Sequence, residues 1–213
     1  NEDSRKAIYE SLRNNISEEE TLRLLLLSPY RATTWELVDQ LPAQTRNRYW
    51  DEVIPHYLHS KKEKIESVQR LLKAKRPRAA FASVHFELSD IPPYLIAQIL
   101  SAMLKKTKDK DNEYLLDLND VECAFQIINR NSDLSLEEKA GLEFAYLEVL
   151  SRSVRSNKQQ KFPNLERYIE NHPELFVQAI VWTYKRDDNG EDPPEVRINE
   201  DHEYWQTHGY YLL

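Results

Sequence analysis

Hydrophobic and polar positions alternate at helical spacing along most of this chain. One apolar stripe consists of Val121, Ala124, Phe125 and Ile128, which stand three or four positions apart. That spacing places the four side chains on one face of an amphipathic helix. No segment alternates apolar and polar residues over a length that favours a β-strand. The pattern therefore predicts an all-α fold.

Capping residues and prolines mark where the helices are expected to begin. A polar residue followed three positions later by Glu has the spacing of a capping box, and this occurs at Ser17, Thr33, Asn119 and Ser135. Proline is tolerated in a first helical turn, because its missing N–H has no partner there. Six prolines are interpreted in this way: Pro42, Pro77, Pro92, Pro93, Pro163 and Pro173. Together these signals predict helices over residues 4–14, 18–27, 34–41, 43–53, 61–75, 78–86, 93–105, 120–130, 136–154, 164–171, 174–185 and 199–213.

Two kinds of helix are expected. Many have one apolar face, whereas segments 94–104, 142–150 and 175–184 are apolar nearly all round and must be covered on every side. Pro93 and its following residues align with Pro173 and its following residues at an offset of 80, which is two periods of forty. Repeats of the HEAT and armadillo types have about this period. A HEAT-like or armadillo-like solenoid of about 10 to 12 short helices and an irregular helical bundle both stay open.

The 213 residues suffice for one all-α domain over 1–213, with a subdivision near 1–110 and 111–213 as the alternative. Charged segments 105–112 and 186–195 are expected to be exposed loops. The chain begins at Asn1 and stops on Tyr210, Tyr211 and two leucines. Natural termini are generally polar, so we expect a fragment of a longer polypeptide, with a processed or trimmed full-length protein as the alternative.

A resemblance to known proteins lies in the last quarter of the chain. The run Asn171-His172-Pro173-Glu174-Leu175-Phe176-Val177, followed by Tyr184-Lys185-Arg186-Asp187-Asp188 and Glu191-Asp192-Pro193, resembles helical stretches of large, uncharacterised bacterial multidomain proteins. Some of those are similar to proteins of phage-defence islands. The resemblance includes no catalytic motif, and it implies a helical scaffold or sensing region of a larger protein.

Composition narrows the function classes. Only three glycines are present, so Gly-rich phosphate-binding loops are absent from the sequence, and a net charge of −7 argues against general nucleic-acid binding by the whole chain. No apolar run approaches the roughly 18 residues that span a bilayer. A single cysteine, Cys123, excludes an internal disulfide and favours a reducing, cytoplasmic setting. No cofactor and no membrane partner are expected.

Catalytic and metal-binding motifs fail at the residues that they require. An EF-hand loop with Gly190 at its sixth place would have Lys185 first and Val196 twelfth, where a carboxylate is needed. A zinc-protease helix beginning at His202 would need a second histidine where Gln206 stands. We therefore predict a protein without catalytic or metal-ligating residues, which is not an enzyme. The alternative is an enzyme whose active residues converge from distant helices and leave no local motif.

Two groups of residues are candidates for binding. The first is a basic segment that could contact phosphates: Lys61, Lys62, Lys64, Arg70, Lys73, Lys75, Arg76 and Arg78. The alternative interpretation is a solvated helix with a buried stripe of Ile65, Val68, Leu71 and Leu72. The second group is aromatic and suits a protein interface, or else the core of a longer polypeptide: Tyr204, Trp205, Tyr210 and Tyr211.

The sequence thus favours a non-catalytic, cytoplasmic α-helical scaffold or interaction module of a larger bacterial protein. Its partner is expected to be another protein or the remainder of the same polypeptide. The alternative is a nucleic-acid-contacting accessory domain that uses the basic helix near residues 61–78.

Overall fold

The computed structural model describes residues 16–105, Asp111, Tyr114, 117–147 and 162–173, and these are helical without a strand among them. The all-α prediction is confirmed. Nine α-helices follow in chain order: α1 Glu18–Leu26, α2 Ala32–Asp39, α3 Ala43–Glu52, α4 Lys61–Lys73, α5 Pro77–Ala82, α6 Pro93–Met103, α7 Leu118–Arg130, α8 Leu136–Ala145 and α9 Pro163–Asn171. A 3-10 helix, His85–Asp90, lies between α5 and α6.

Two of the four predicted capping boxes form. Ser17 and Ser135 each accept a hydrogen bond from the backbone N–H of a glutamate three residues on, and that glutamate accepts the N–H of the serine. Pro77, Pro93 and Pro163 occupy the first turns of α5, α6 and α9, as predicted. These helix starts are decided by neighbouring residues, which is why the sequence locates them.

The other two boxes were wrong. α2 begins at Ala32, before Thr33, and the Glu63 carboxylate of α4 accepts the Ala32 N–H at 2.9 Å. α7 begins at Leu118, because Asp117 rather than Asn119 accepts a backbone N–H at its start. In both cases a different carboxylate satisfies the N–H groups of the first turn.

The predicted helix 78–86 also needs correction. α5 ends at Ala82, Val84 leaves helical geometry, and the chain re-enters a 3-10 helix that is itself interrupted at Glu87. The predicted helix 136–154 reaches beyond the described residues, and within them α8 ends at Ala145. The predicted helices 4–14, 174–185 and 199–213 lie outside the described residues.

One hydrophobic core runs through most of the described structure. Its buried side chains extend along the chain from Leu22 on α1 to Tyr146 just after α8, so they lie on both sides of the subdivision considered near residue 110. A smaller cluster joins Ala140, Leu147 and Leu165 between α8 and α9. The apolar helix α6 is enclosed on most sides, although Tyr94 at its start is half exposed.

The main packings join each helix to the next one or the next but one. α1 and α2 pack on α3, α4 packs on α5 and α6, α6 packs on α7 and α8, and α8 packs on α9. A solenoid of helical hairpins and an irregular bundle of short helices share this order. The repeat type therefore stays a prediction.

Candidate functional site

The basic segment does not form one exposed surface. Lys61, Lys62, Lys73 and Lys75 are exposed, the first two at the start of α4 and the other two at its end. Lys64, Arg76 and Arg78 are buried, and Arg70 is half-buried. The eight predicted residues thus divide into two exposed lysine pairs and four side chains that are buried or half-buried in the fold.

Lys64 holds α4 against the 3-10 helix. Its ammonium group pairs with the carboxylate of Glu87 and, at 2.6 Å, with that of Asp90. Hydrogen bonding from Lys64 lowers the pKa of Asp90 below its usual range. A buried ammonium between two carboxylates is a structural element rather than a phosphate contact.

Arg76 joins α3 to the turn between α4 and α5. Its guanidinium donates to the carbonyl oxygens of Trp50 at 3.0 Å and Val53 at 2.7 Å. Beside it, the buried Asp111 accepts the backbone N–H groups of Arg78 and Ala79, both at 2.9 Å. Burial raises the pKa of Asp111, although these hydrogen bonds and the nearby arginines oppose that effect. Arg76 is therefore buried, and its guanidinium is hydrogen-bonded to backbone carbonyl groups inside the protein.

A groove opens between α3 and the C-terminal end of α4. Its volume is about 530 Å³. The lining residues are Asp39, Arg46, Asn47, Trp50, Asp51, Arg70, Lys73, Ala74 and Lys75. Four of these nine are basic and two are acidic, so the groove combines a positive balance with a few carboxylates.

Arg70 forms one wall of this groove and is held on several sides. Its guanidinium donates to both carboxylate oxygens of Asp39, at 2.8 and 2.7 Å, and to Glu66 at 2.9 Å. The same group lies 5.3 Å from the ring centroid of Trp50 and 5.9 Å from that of Trp35. Such a bidentate, stacked arginine is a rigid part of the wall.

Around Arg70 the groove is electrostatically positive. The hydrogen-bonded guanidinium lowers the pKa of the Asp39 carboxyl, and the charges of Arg46 and Lys73 act in the same direction. Lys73 and Lys75 are exposed, and Arg46 is half-buried. The arrangement can bind an anion, but the walls offer no nucleophile paired with a base.

A second surface lies at the other end of α4 and is apolar. Phe86 is 79% exposed, Ile54 65% and Tyr57 51%, which are large fractions for such side chains. Tyr57 donates a hydrogen bond to Glu87 at 2.7 Å, which ties the loop before α4 to the 3-10 helix that carries Phe86. We call Ile54, Tyr57 and Phe86 the apolar surface.

Sequence reasoning missed both surfaces for identifiable reasons. Phe86 falls inside the predicted helix 78–86, where an apolar residue is expected to be buried. The segment from Ile54 to His59 holds three apolar residues at helical spacing, and nothing in the sequence separates the exposed Ile54 and Tyr57 from the buried Leu58. The groove depends on Asp39, Trp50 and Arg70 from three helices, which no local pattern connects.

Tyr204, Trp205, Tyr210 and Tyr211 lie outside the described residues. Cys123 is exposed on α7. Among the residues that the structure describes, no three His, Cys, Asp or Glu side chains are grouped so that they could hold a metal ion.

Comparisons of the chain with protein-family models, with curated proteins and with solved structures found no match. The resemblance to bacterial multidomain proteins therefore stays a prediction. In the part of the chain that the structure covers, no helix has both the length and the apolar character needed to cross a membrane.

Proposed function

We propose that this chain is a non-catalytic α-helical interaction module of a larger bacterial protein, and that its apolar surface binds a protein partner. The observation that supports this proposal is the exposure of Ile54, Tyr57 and Phe86 on two segments joined by a hydrogen bond. Exposed aromatic side chains are enriched at protein interfaces.

The surroundings of the apolar surface favour a partner with acidic side chains near its contact residues. Lys61 and Lys62 are exposed at the start of α4, and Lys61 acts on Asp90 of the adjoining 3-10 helix. The carboxylates of Glu87 and Asp90 are already paired with Lys64. An apolar centre with basic residues at its edge suits an amphipathic, acidic partner.

Nucleic-acid contact is the less favoured function. Only the two separated lysine pairs of the predicted basic segment are exposed, and the chain carries a net charge of −7. A phosphate backbone is bound best by a continuous row of cations.

Photocrosslinking from within the native full-length polypeptide tests the proposed function. A photoreactive amino acid at position 86 should form an adduct with one defined protein, while the same probe at Leu27, which is 87% exposed just after α1, should not. The purified partner should then bind the variant with Ile54→Ser and Phe86→Ser at least about tenfold more weakly than it binds the unchanged chain.

Three outcomes would contradict the proposed function. They are equal adducts from positions 86 and 27, an adduct only with another part of the same polypeptide, and an unchanged affinity of the double variant. Because Ile54 and Phe86 are exposed, their substitution should leave the melting temperature unchanged, so a loss of binding would report the surface itself.

A further inference from the structure

The groove between α3 and α4 is a second binding surface, distinct from the apolar surface. The lysines of the groove lie at the end of α4, whereas Tyr57 of the apolar surface lies near its start; the two surfaces come nearest at Asp51 and Ile54, three residues apart in the chain. We propose that this groove binds an acidic peptide segment of a protein partner through Arg46, Lys73 and Lys75. The proposal does not depend on the apolar surface, and its test needs no identified partner.

The basic side chains of the groove differ in whether their charge is balanced by a neighbouring carboxylate. Arg70 is occupied by Asp39 and Glu66, so it shapes the wall and its charge is already balanced. Lys73 and Lys75 have exposed side chains on the lining of the same groove. Their positive charges face a concave surface, where they act together on a carboxylate that enters it.

Lys75 has an unusual backbone conformation. This residue has φ 60°, which is in the left-handed region. Among the non-glycine residues that the structure describes, Lys75 is the one with a positive φ. Its N–H donates to the Leu72 carbonyl and the Arg76 N–H to the Leu71 carbonyl, both at 2.9 Å, which closes α4 with a Schellman motif. Glycine is the usual residue at that position, because it adopts this conformation without steric cost.

A lysine at this position keeps a strained backbone and gains a positive side chain on the groove. Strain that is retained where a neutral, less strained residue is available points to a role for the side chain. The fold itself does not need the charge, since the hydrogen bonds that close the helix come from backbone groups.

The mixed charge of the groove walls distinguishes a peptide ligand from a phosphate backbone. Asp39 is paired with Arg70, but Asp51 also lies in the walls of the groove, where its carboxylate would repel a continuous row of phosphates. A peptide carries carboxylates at intervals and backbone N–H groups between them, and the side-chain oxygens of Asn47 and Asp51 can accept such N–H groups. Mixed charge in the groove therefore matches an acidic peptide better than a nucleic acid.

Fluorescence anisotropy with a labelled octaglutamate peptide, at low salt and with the full 213-residue chain, tests the proposal. The double variant Lys73→Glu with Lys75→Glu should raise the Kd by about tenfold or more. The matched control, Lys61→Glu with Lys62→Glu, makes the same change in net charge at the other end of α4 and should change the Kd by less than about twofold.

A third variant separates binding from folding. Lys75→Gly removes the charge and relieves the backbone, so it should weaken peptide binding while raising the melting temperature by about 2 °C. A loss of binding in a more stable protein cannot arise from unfolding.

Several results would overturn the proposal. The octaglutamate peptide fails to bind at low salt, or both double variants weaken binding equally, which would mean that net charge alone attracts the peptide. Tighter binding of a labelled oligothymidylate than of the peptide, with selective loss in the variant Lys73→Glu with Lys75→Glu, would assign the groove lysines to nucleic-acid contact.

Discussion

Asp111 and Glu143 hold the first turns of two different helices in the same way. Asp111 accepts the N–H groups of the second and third residues of α5, and Glu143 accepts those of Asn164 and Leu165, the second and third residues of α9, at 3.0 and 2.7 Å. Each helix begins with proline, which has no N–H to satisfy. A distant, fully buried carboxylate thus completes both helix starts.

The buried carboxylate of Glu143 should be important for stability. Both backbone N–H groups donate to Oε2, and Oε1 accepts the side-chain amide of Asn164. In Glu143→Gln one of these oxygens becomes an amide donor, so either the backbone N–H groups or the Asn164 amide lose a buried acceptor. We expect a loss of about 2 kcal/mol in the free energy of unfolding, measured by urea denaturation. Glu170→Gln removes a charge from an exposed position of α9 and should cost less than about 0.5 kcal/mol in the free energy of unfolding. Equal losses in the two variants would contradict this role of Glu143.

The effect of Glu143 on stability should depend on pH with a defined sign. Burial raises the pKa of its carboxyl, and this exceeds the opposing effect of the hydrogen bonds from Leu165 and Asn164. The folded protein therefore holds the proton more tightly than the unfolded chain does, so the stabilising contribution is greatest below about pH 4.3 and is lost as the pH rises through the folded pKa.

Urea denaturation across the pH range checks this sign. The difference in unfolding free energy between the unchanged protein and Glu143→Gln should narrow as the pH rises above about 4.3. A difference that widens with pH would show that hydrogen bonding, rather than burial, dominates the ionisation of Glu143.

Local signals explain why the fold class and most helix positions were predictable. Apolar spacing and the capping serine of α8 are properties of a few adjacent residues, and they located that helix start at Leu136. The N-terminus of α2 was misplaced because Glu63, on another helix, caps Ala32. A cap supplied from a distant part of the chain leaves no local pattern.

The candidate sites also depend on residues that are distant in sequence. The basic segment was visible in the sequence, but charge alone does not reveal that Lys64 is buried between Glu87 and Asp90. Burial of a charged group becomes favourable only where partners meet it, and those partners stand more than twenty residues further along the chain. The groove and the apolar surface likewise arise from packing.

Ser135 and Thr33 provide a matched test of capping. Ser135→Ala removes a side chain that accepts the Glu138 N–H at 3.1 Å, and it should cost about 1 kcal/mol of unfolding free energy. Thr33 has the same sequence spacing to a glutamate but lies exposed inside α2, whose first N–H is capped by Glu63. Thr33→Ala should therefore cost less than about 0.5 kcal/mol. Similar costs, measured by thermal or urea unfolding, would contradict the assignment of the helix starts.

Arg70 should be far less tolerant of lysine than Arg48, which is also ion-paired. Its planar guanidinium satisfies both oxygens of Asp39 while it lies against Trp50, a geometry that a single ammonium group cannot reproduce. Arg70→Lys should lower the unfolding free energy by roughly 1 to 2 kcal/mol. Arg48 also pairs with two carboxylates, those of Glu19 and Glu52, but it is exposed, and surface pairs contribute little. Arg48→Lys should therefore cost less than about 0.5 kcal/mol. Urea denaturation of the two variants side by side measures the difference, and an Arg70→Lys protein as stable as Arg48→Lys would mean that the stacked, bidentate geometry does not stabilise this wall of the groove.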